Sequence, residues 1–373
     1  MVCGGDERAN AGLQDTPFIN GRREGELENG FRVVQFEIPY SNRFNFLQRS
    51  QIFLKFAWKS AWFALREDYD MLFATTTPLT VGIPGILAKV FRRKPFVFEV
   101  RDLWPELPRA MGVIKNPLIL WAMGVLEWAS YRMADGCIGL SPGIVRGITR
   151  RGVAPERTTM ISNGCDLELF NSNVHEPRRP EGVHEDQFCV IFIGAHGVAN
   201  GLHSVLDAAA VLKERGCNDI RLVFIGDGKL KPSLKDRAIR EGLENCLFLP
   251  SVPKMEIISL LYGSDVGMMI LDNVPAFYYG TSPNKFFDYI AASLPVLINY
   301  PGWLADMISK YKCGLVVPPE DPEAFADALE LLSENKEMLK KMALNARLLA
   351  EREFNRADQG EKFVEFLERN YKR

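Results

Sequence analysis

The chain has 373 residues, 47% hydrophobic and 25% charged, with a formal net charge of −2; this is the composition of a globular protein of two or three domains, and it excludes a global affinity for nucleic acid. Seven scattered cysteines without a CxxC pair and four histidines without ligand spacing exclude a disulfide scaffold and a structural zinc site, and suit a reducing cytoplasm. No apolar run nears the roughly 20 residues that span a bilayer, and the start, Met1 to Asp6, lacks the regions of a signal peptide.

Val2–Gly5 reads as the tail of a strand, the polar stretch from Gly12 to Gly30 as a loop, and Phe31–Ile38 as a strand. Arg43–Arg66 carries five basic residues and no acid. At helical spacing Lys55, Lys59 and Arg66 fall on one stripe, and Phe53, Phe56, Trp58, Trp62 and Phe63 cover much of the rest. Such a helix suits an anionic membrane surface; it equally suits a sheet-covering helix with a solvated basic edge. Strands then alternate with helices. Met71–Thr75, Pro95–Val100, Gly136–Leu140 and Thr159–Ser162 read as strands; helices run from Thr76 to about Phe91, over Leu118–Ala134, and after Ser141-Pro142. This rhythm predicts a parallel sheet with helices on both faces.

Asn171–Gln187, rich in Asn, Pro, Arg and Glu, reads as a linker. A second series follows, with strands Cys189–Ile193, Arg221–Ile225, Cys246–Leu249, Val266–Ile270, Pro295–Ile298 and Gly314–Val317, and a helical, charged segment from Asp321 to Arg373. The fold class expected is α/β, two doubly wound, Rossmann-like domains facing across a cleft. The first covers residues 1–170, the linker 171–187 and the second 188–354; the last helix, 355–373, returns to the first. Ligands of such sheets sit at the carboxyl ends of strands. That end holds Arg101-Asp102, the loops at Gly194 and Gly226, and a helix opening at Ser282.

Thr281 to Tyr289 is the stretch around which the reading turns. Ser282 suits an N-cap and Pro283 the first helical position. Phe286, Phe287, Ile290 and Ala291 mark a buried face, with Lys285 and Asp288 on the other. A helix start with a lysine attracts an anion, and an acid one turn deeper suits paired hydroxyls. A nucleotide diphosphate would fit; so would an ordinary capped helix with an i,i+3 Lys–Asp pair. Gly194–Gly201 and Ile225–Gly228 each follow a strand, where glycine serves either a ligand or a tight turn. Two such loops in one domain favour the nucleotide. No GxGxxG follows the first strand of either domain, which argues against a dinucleotide dehydrogenase.

Phe98–Glu106 (FEVRDLWPE), Asn163–Phe170 (NGCDLELF), Gly194–Gly201, Ile225–Gly228 and Ser282–Val296 (SPNKFFDYIAASLPV) together resemble the bacterial group 1 glycosyltransferases, family 4 of the retaining GT-B enzymes. The likeness extends to members that build O-antigen, capsule or exopolysaccharide. It implies metal-independent, retaining hexosyl transfer from a nucleotide diphosphate sugar, UDP-linked by preference, with no cofactor. The acceptor it implies is a saccharide, lipid-linked as in lipopolysaccharide assembly, met in the cytoplasm or at the inner face of the cell membrane, where Lys55, Lys59 and Arg66 would make contact. By the same resemblance Lys285, with the backbone of Ser282, Pro283 and Asn284, holds the diphosphate and Asp288 the ribose. Gly194, His196, Asn200 and Gly201, with Gly226 and Gly228, approach the donor. Asp102 meets the acceptor or the transferred sugar, against the alternative of an acid bonded to Arg101 or capping the next helix. Asn163 and Asp166 are expected to build turns.

The sequence departs from the family in three places. Gly280 stands where the first acid of a spaced pair belongs. Ala195 and Asn200 replace the Arg and Lys of many relatives, with His196 expected to restore part of that charge. A strand, glycine-rich loop and helix that relatives carry ahead of Val2-Cys3-Gly4 are missing from it. Two alternatives therefore stand beside the transferase: a non-catalytic binding partner, and a sugar-nucleotide epimerase on the same fold.

Overall fold

The computed structural model describes residues 1–5, 12, 13, 15–27, 30–41, 44–171 and 175–372. The chain folds into two compact units. Unit 1 comprises Met1–Gly139, Ile144–Met160 and Glu365–Arg373; unit 2 comprises Leu140–Gly143 and Ile161–Val364. The stretch after Met160 thus packs with unit 2, and the chain returns to unit 1 only at Glu365.

Unit 1 opens with β1 (Val2–Gly5), β2 (Arg22–Glu26) and β3 (Arg32–Glu37), a three-stranded sheet in the order β1-β3-β2. β1 runs parallel to β3, and β2 antiparallel to it, with Arg22 opposite Phe36. β2 lies inside the stretch expected to be a loop. It carries no apolar alternation because its partners are polar. Buried Arg23 donates from Nε to Gln35 Oε1 at 2.8 Å and stands 4.5 Å from the Phe18 ring, and Glu24 takes both Arg22 and Arg32. Cross-strand pairing substitutes here for a hydrophobic face.

The helix α1 (Phe46–Arg66) is closed by a capping box: Asn45 accepts from the Gln48 N–H at 3.0 Å, and Gln48 Oε1 accepts from the Asn45 N–H at 3.0 Å. Arg43, the expected start, lies outside the described residues. Small buried residues, Ala57, Ala61 and Ala64, line its inner face, and Phe63 meets Phe36 of β3 edge-on. There follow β4 (Leu72–Thr75), α2 (Gly82–Arg92), β5 (Phe96–Val100), α3 (Glu106–Ala110), α4 (Pro117–Met133), β6 (Gly136–Gly139), α5 (Pro142–Arg150) and β7 (Thr158–Met160). The four strands form a parallel sheet in sequence order. No helix among the described residues is long and apolar enough to cross a membrane.

Unit 2 contains β8 (Phe188–Ile193), α6 (His203–Glu214), β9 (Ile220–Ile225), α7 (Lys231–Glu241), β10 (Cys246–Leu249), α8 (Lys254–Tyr262), β11 (Val266–Met269), α9 (Pro275–Gly280), α10 (Asn284–Ala291), β12 (Val296–Ile298), α11 (Trp303–Tyr311), β13 (Gly314–Val316), α12 (Pro322–Glu334) and α13 (Lys336–Glu353). α14 (Arg356–Tyr371) carries the chain back to unit 1. Six parallel strands run β10-β9-β8-β11-β12-β13. Their continuous apolar runs reflect burial on both faces: Val190, Phe192, Leu222, Phe224, Val266 and Met268 share one core with α6 and α12.

Candidate functional site

In unit 2 the chain winds outward in opposite directions from β8 and β11, so the sheet's ligand crevice opens beyond the carboxyl ends of those two strands. The Gly194–Gly201 loop leaves β8 there. Residues 270–283 leave β11 there and lead into α10. The two segments are tied, since the Asp272 N–H donates to the Ala199 carbonyl at 3.0 Å and a Cβ at Gly201 would lie 2.8 Å from the Asp272 Cα.

Lys285 stands at this point. Its ammonium donates to Asn200 Oδ1 at 2.9 Å and lies 3.9 Å from the centre of the Phe192 ring. A Cβ at Gly194 would meet Lys285 Cε and Nζ at 3.3 Å, so the missing side chain leaves room for the lysine. Among the described residues no carboxylate lies within ion-pairing distance of it. Some surface remains to the residue, but the ammonium is crowded by protein, and loss of water brings its pKa down to about 7. An ammonium so placed gains its charge back when an anion arrives.

The start of α10 differs from the expectation in detail. Pro283 occupies the N-cap position, and the helix begins at Asn284. Ser282 does not cap: its carbonyl accepts from Asn163 Nδ2 at 2.5 Å, and its buried hydroxyl has no partner among the described residues. A buried orphan hydroxyl costs about 1–3 kcal/mol, and Ser282 immediately precedes the N-cap of α10. Asp166, which accepts from the Leu169 N–H at 3.3 Å, and Asn163 both shape turns; Asn163 shapes the one that matters for α10.

Lys285 and Asp288 do not pair with each other. Lys254, at the start of α8, reaches Asp288 at 2.5 Å. The carboxylate expected for a ribose is therefore already engaged through Oδ1, and Lys254 is a neighbour that nothing in the sequence placed there.

His196 corrects a second expectation. It is 0% exposed, enclosed by Phe192, Phe224 and Phe248, and neither ring nitrogen has a partner among the described residues. Burial, then the Lys231 charge, push its pKa down to about 4. It is neutral at pH 7 and restores no charge to the loop. Asn200 does the positioning instead, with Nδ2 on the Ala195 carbonyl at 2.8 Å and Oδ1 on Lys285.

The second glycine loop proves to be a support for the first. Gly226 has φ +143°, and a Cβ on it would sit 1.9 Å from the Gly194 carbonyl oxygen. A Cβ on Gly228 would lie 2.5 Å from the His196 carbonyl oxygen, and Lys231 ties the loop down by donating to the Gly226 and Leu249 carbonyls at 2.6 Å each.

In unit 1 the carboxyl ends of β4 and β5 bring Thr76, Thr77, Arg101 and Asp102 together. Asp102 accepts from Thr77 Oγ1 at 3.1 Å, and the Arg101 N–H donates to Thr76 Oγ1 at 2.8 Å. Asp102 does not cap the next helix, since Pro105 is the N-cap of α3; Arg101 lies 3.5 Å from Glu99, and its charge also acts on Asp102. Desolvation raises the Asp102 pKa, and the Thr77 bond and the Arg101 charge offset part of the rise. On α1, Lys55 and Arg66 are exposed, but Lys59 turns inward to the Gly21 carbonyl at 3.3 Å. The exposed stripe is instead Leu47, Leu54, Trp58 and Trp62, with Lys55 and Arg66 on it.

Two family models match the chain: "Glycosyl transferases group 1" over residues 174–349 and "Glycosyl transferase 4-like domain" over residues 2–164. The probable glycosyltransferase WbjE of Pseudomonas aeruginosa is 25% identical over 308 residues, covering 80% of this chain and 75% of that protein. The amylovoran biosynthesis glycosyltransferase AmsK of Erwinia amylovora is 25% identical over 243 residues, covering 65% and 54%. Among solved structures, Anabaena Alr3699/HepE in complex with UDP and glucose superposes with a TM-score of 0.68 at 19% identity, over 90% of this chain and 86% of that one.

Proposed function

As the chain belongs to the group 1 glycosyltransferases and has their GT-B fold, we propose that it moves a hexosyl group, with retention, from a nucleotide diphosphate sugar to a saccharide in cell-surface polysaccharide synthesis. The observation that carries the donor is the Lys285 ammonium, crowded, bonded to Asn200 and without a carboxylate among the described residues. The diphosphate rests against it and against the first N–H groups of α10, with the Ser282 hydroxyl as a further donor. Departure of the diphosphate is the costly step, and preorganised positive charge at that point stabilises it. That charge takes the place a divalent metal fills elsewhere, so transfer persists in chelator. Asp288 offers its second oxygen to the ribose, and Asp102 meets the acceptor or the transferred sugar from unit 1. UDP is the preferred nucleotide because Alr3699/HepE carries it. The polysaccharide role is supported by AmsK, named for amylovoran biosynthesis, and the surface location by WaaG, a glycosyltransferase involved in lipopolysaccharide biosynthesis.

The acceptor in this reading is lipid-linked, and the exposed Leu47, Leu54, Trp58 and Trp62 stripe of α1 rests on the membrane. Co-sedimentation with vesicles checks that part; a Leu47→Glu, Leu54→Glu variant that sediments like the wild type removes it.

The test of the donor is calorimetry with UDP, followed by mass spectrometry of transfer from a panel of nucleotide sugars. UDP binding lost in Lys285→Gln supports the reading; binding unchanged in that variant sinks it. Release of an epimerised free sugar without acceptor would favour the epimerase.

A further inference from the structure

Unit 1 contains a recess of about 550 Å³ between the turn that opens β2, the middle of β3 and the second half of α1. That volume is in the range of small-molecule sites. It is separate from the carboxyl ends of β4 and β5, which hold Asp102. Three cations line it: Arg22, Lys59 and Arg66. Each is seated on an aromatic ring. The Arg22 guanidinium is 5.3 Å from the Phe63 ring, the Lys59 ammonium 5.3 Å from Phe36 and the Arg66 guanidinium 3.6 Å from Trp62. Stacking of this kind fixes a cationic head while leaving its N–H donors free.

Carboxylates offset part of this charge: Glu24 pairs with Arg22 itself, and a Cβ built on Gly21 would lie 3.4 Å from Lys59 Nζ and 3.7 Å from Glu37 Oε2. Glu24 binds Arg22 and Arg32, and Glu67, which lines the recess, lies 3.5 Å from Arg32. Lys59 donates to a carbonyl, that of Gly21, at 3.3 Å. Arg66 has no ion pair among the described residues. Trp58 and Trp62 add flat apolar walls. Arg66, with no ion pair among the described residues, and Lys59, bonded only to a carbonyl, leave cationic donors facing the recess that suit the terminal oxygens of a phosphoryl group.

We propose that this recess binds a phosphate ester, its phosphoryl group on Arg22, Lys59 and Arg66 and its carbon-bearing part against Trp58 and Trp62. The ester is either a soluble sugar phosphate or the headgroup of an anionic phospholipid. The site is independent of the donor reading for unit 2; its headgroup form rests on the reading that α1 lies on the membrane.

The full chain, saturated with UDP so that unit 2 is occupied, is titrated with α-D-glucose 1-phosphate and followed by tryptophan fluorescence and calorimetry. In parallel it is sedimented with phosphatidylcholine vesicles with and without phosphatidylglycerol. Arg66→Gln and, separately, Lys59→Met are carried through both arms, and UDP affinity is measured in each variant. Glucose 1-phosphate binding weakened about tenfold or more by Arg66→Gln, at unchanged UDP affinity, supports the site with a soluble ester. Sedimentation that needs phosphatidylglycerol and falls in Arg66→Gln supports it with a headgroup. Arg66 is exposed, so that variant keeps the test open if Lys59→Met fails to fold. The proposal is overturned if neither ligand distinguishes Arg66→Gln from wild type, or if glucuronate binds as tightly as glucose 1-phosphate.

Discussion

Lys285 in unit 2 and Lys59 in unit 1 are built alike, each a lysine laid over a phenylalanine ring, 3.9 Å from Phe192 and 5.3 Å from Phe36. Their surroundings differ. Lys285 is packed at the switch point of a six-stranded sheet and loses much of its hydration, so its pKa falls to about 7. Lys59 looks into an open recess that it shares with Arg22 and Arg66. The difference teaches that cation–ring stacking only positions a charge. How closely protein crowds the ammonium decides how much hydration it loses, and at Lys285 that loss is what lowers the pKa.

The sharpest way to break the comparison is Lys285→Gln, which should lower the rate of sugar transfer roughly 10²–10³-fold while the fold persists, as read by initial rates and by circular dichroism. Its pH signature follows from the lowered pKa. An anion arriving above pH 7 must restore the proton, so UDP binding at pH 8 should take up protons, measured by calorimetry in two buffers of different ionisation enthalpy; Lys285→Gln should abolish the uptake. For stability the sign is separate. Between pH 7 and 10.5 the unfolded chain holds the proton that native Lys285 has released, so this lysine's unfavourable burial is relieved as pH rises through that window.

Next comes the scaffold that crowds the unit 2 lysine. Gly226→Ala places a methyl group on a backbone oxygen at a positive φ, and should cost about 3 kcal/mol, seen as a lowered melting temperature and weakened UDP binding together. His196 should show itself in acid. Its native pKa of about 4 lies below the ordinary 6.5, so stability is complete above pH 6.5 and falls as pH drops toward 4. The loss should reach about 2 kcal/mol at pH 5, and urea titrations of His196→Leu should lack it. The smallest effect belongs to Asn200→Ala, which removes one neutral partner of Lys285. It should weaken UDP binding by roughly fivefold, about 1 kcal/mol. A loss as large as that of Lys285→Gln would mean Asn200 touches the donor directly.

Much of unit 2 was legible because its signals are local. Short, mostly apolar runs, the first two followed directly by glycine, placed β8 through β13 within a residue or two of their ends. Lys285 at the start of α10 could be read from Pro283 and the spacing of Phe286 and Phe287. What escaped depends on contacts between distant parts of the sequence. β2 is a strand because Arg23 finds Gln35, and its own composition says turn. The partner of Asp288 is Lys254, thirty-four residues away and on another helix. His196 looked like a spare cation in a glycine loop, and only the three surrounding phenylalanines reveal a core residue. Lys59 looked like part of a surface stripe, and the turn at Gly21 draws it inward.

The contact between Gly226 and Gly194 reaches beyond folding. Because one turn has no room for even a methyl group against the other, the two behave as a single interlocked clasp, and neither can be redesigned alone. A library that varies residues 194–201 will keep its members folded only where the bend at 226–228 is allowed to vary in step with it.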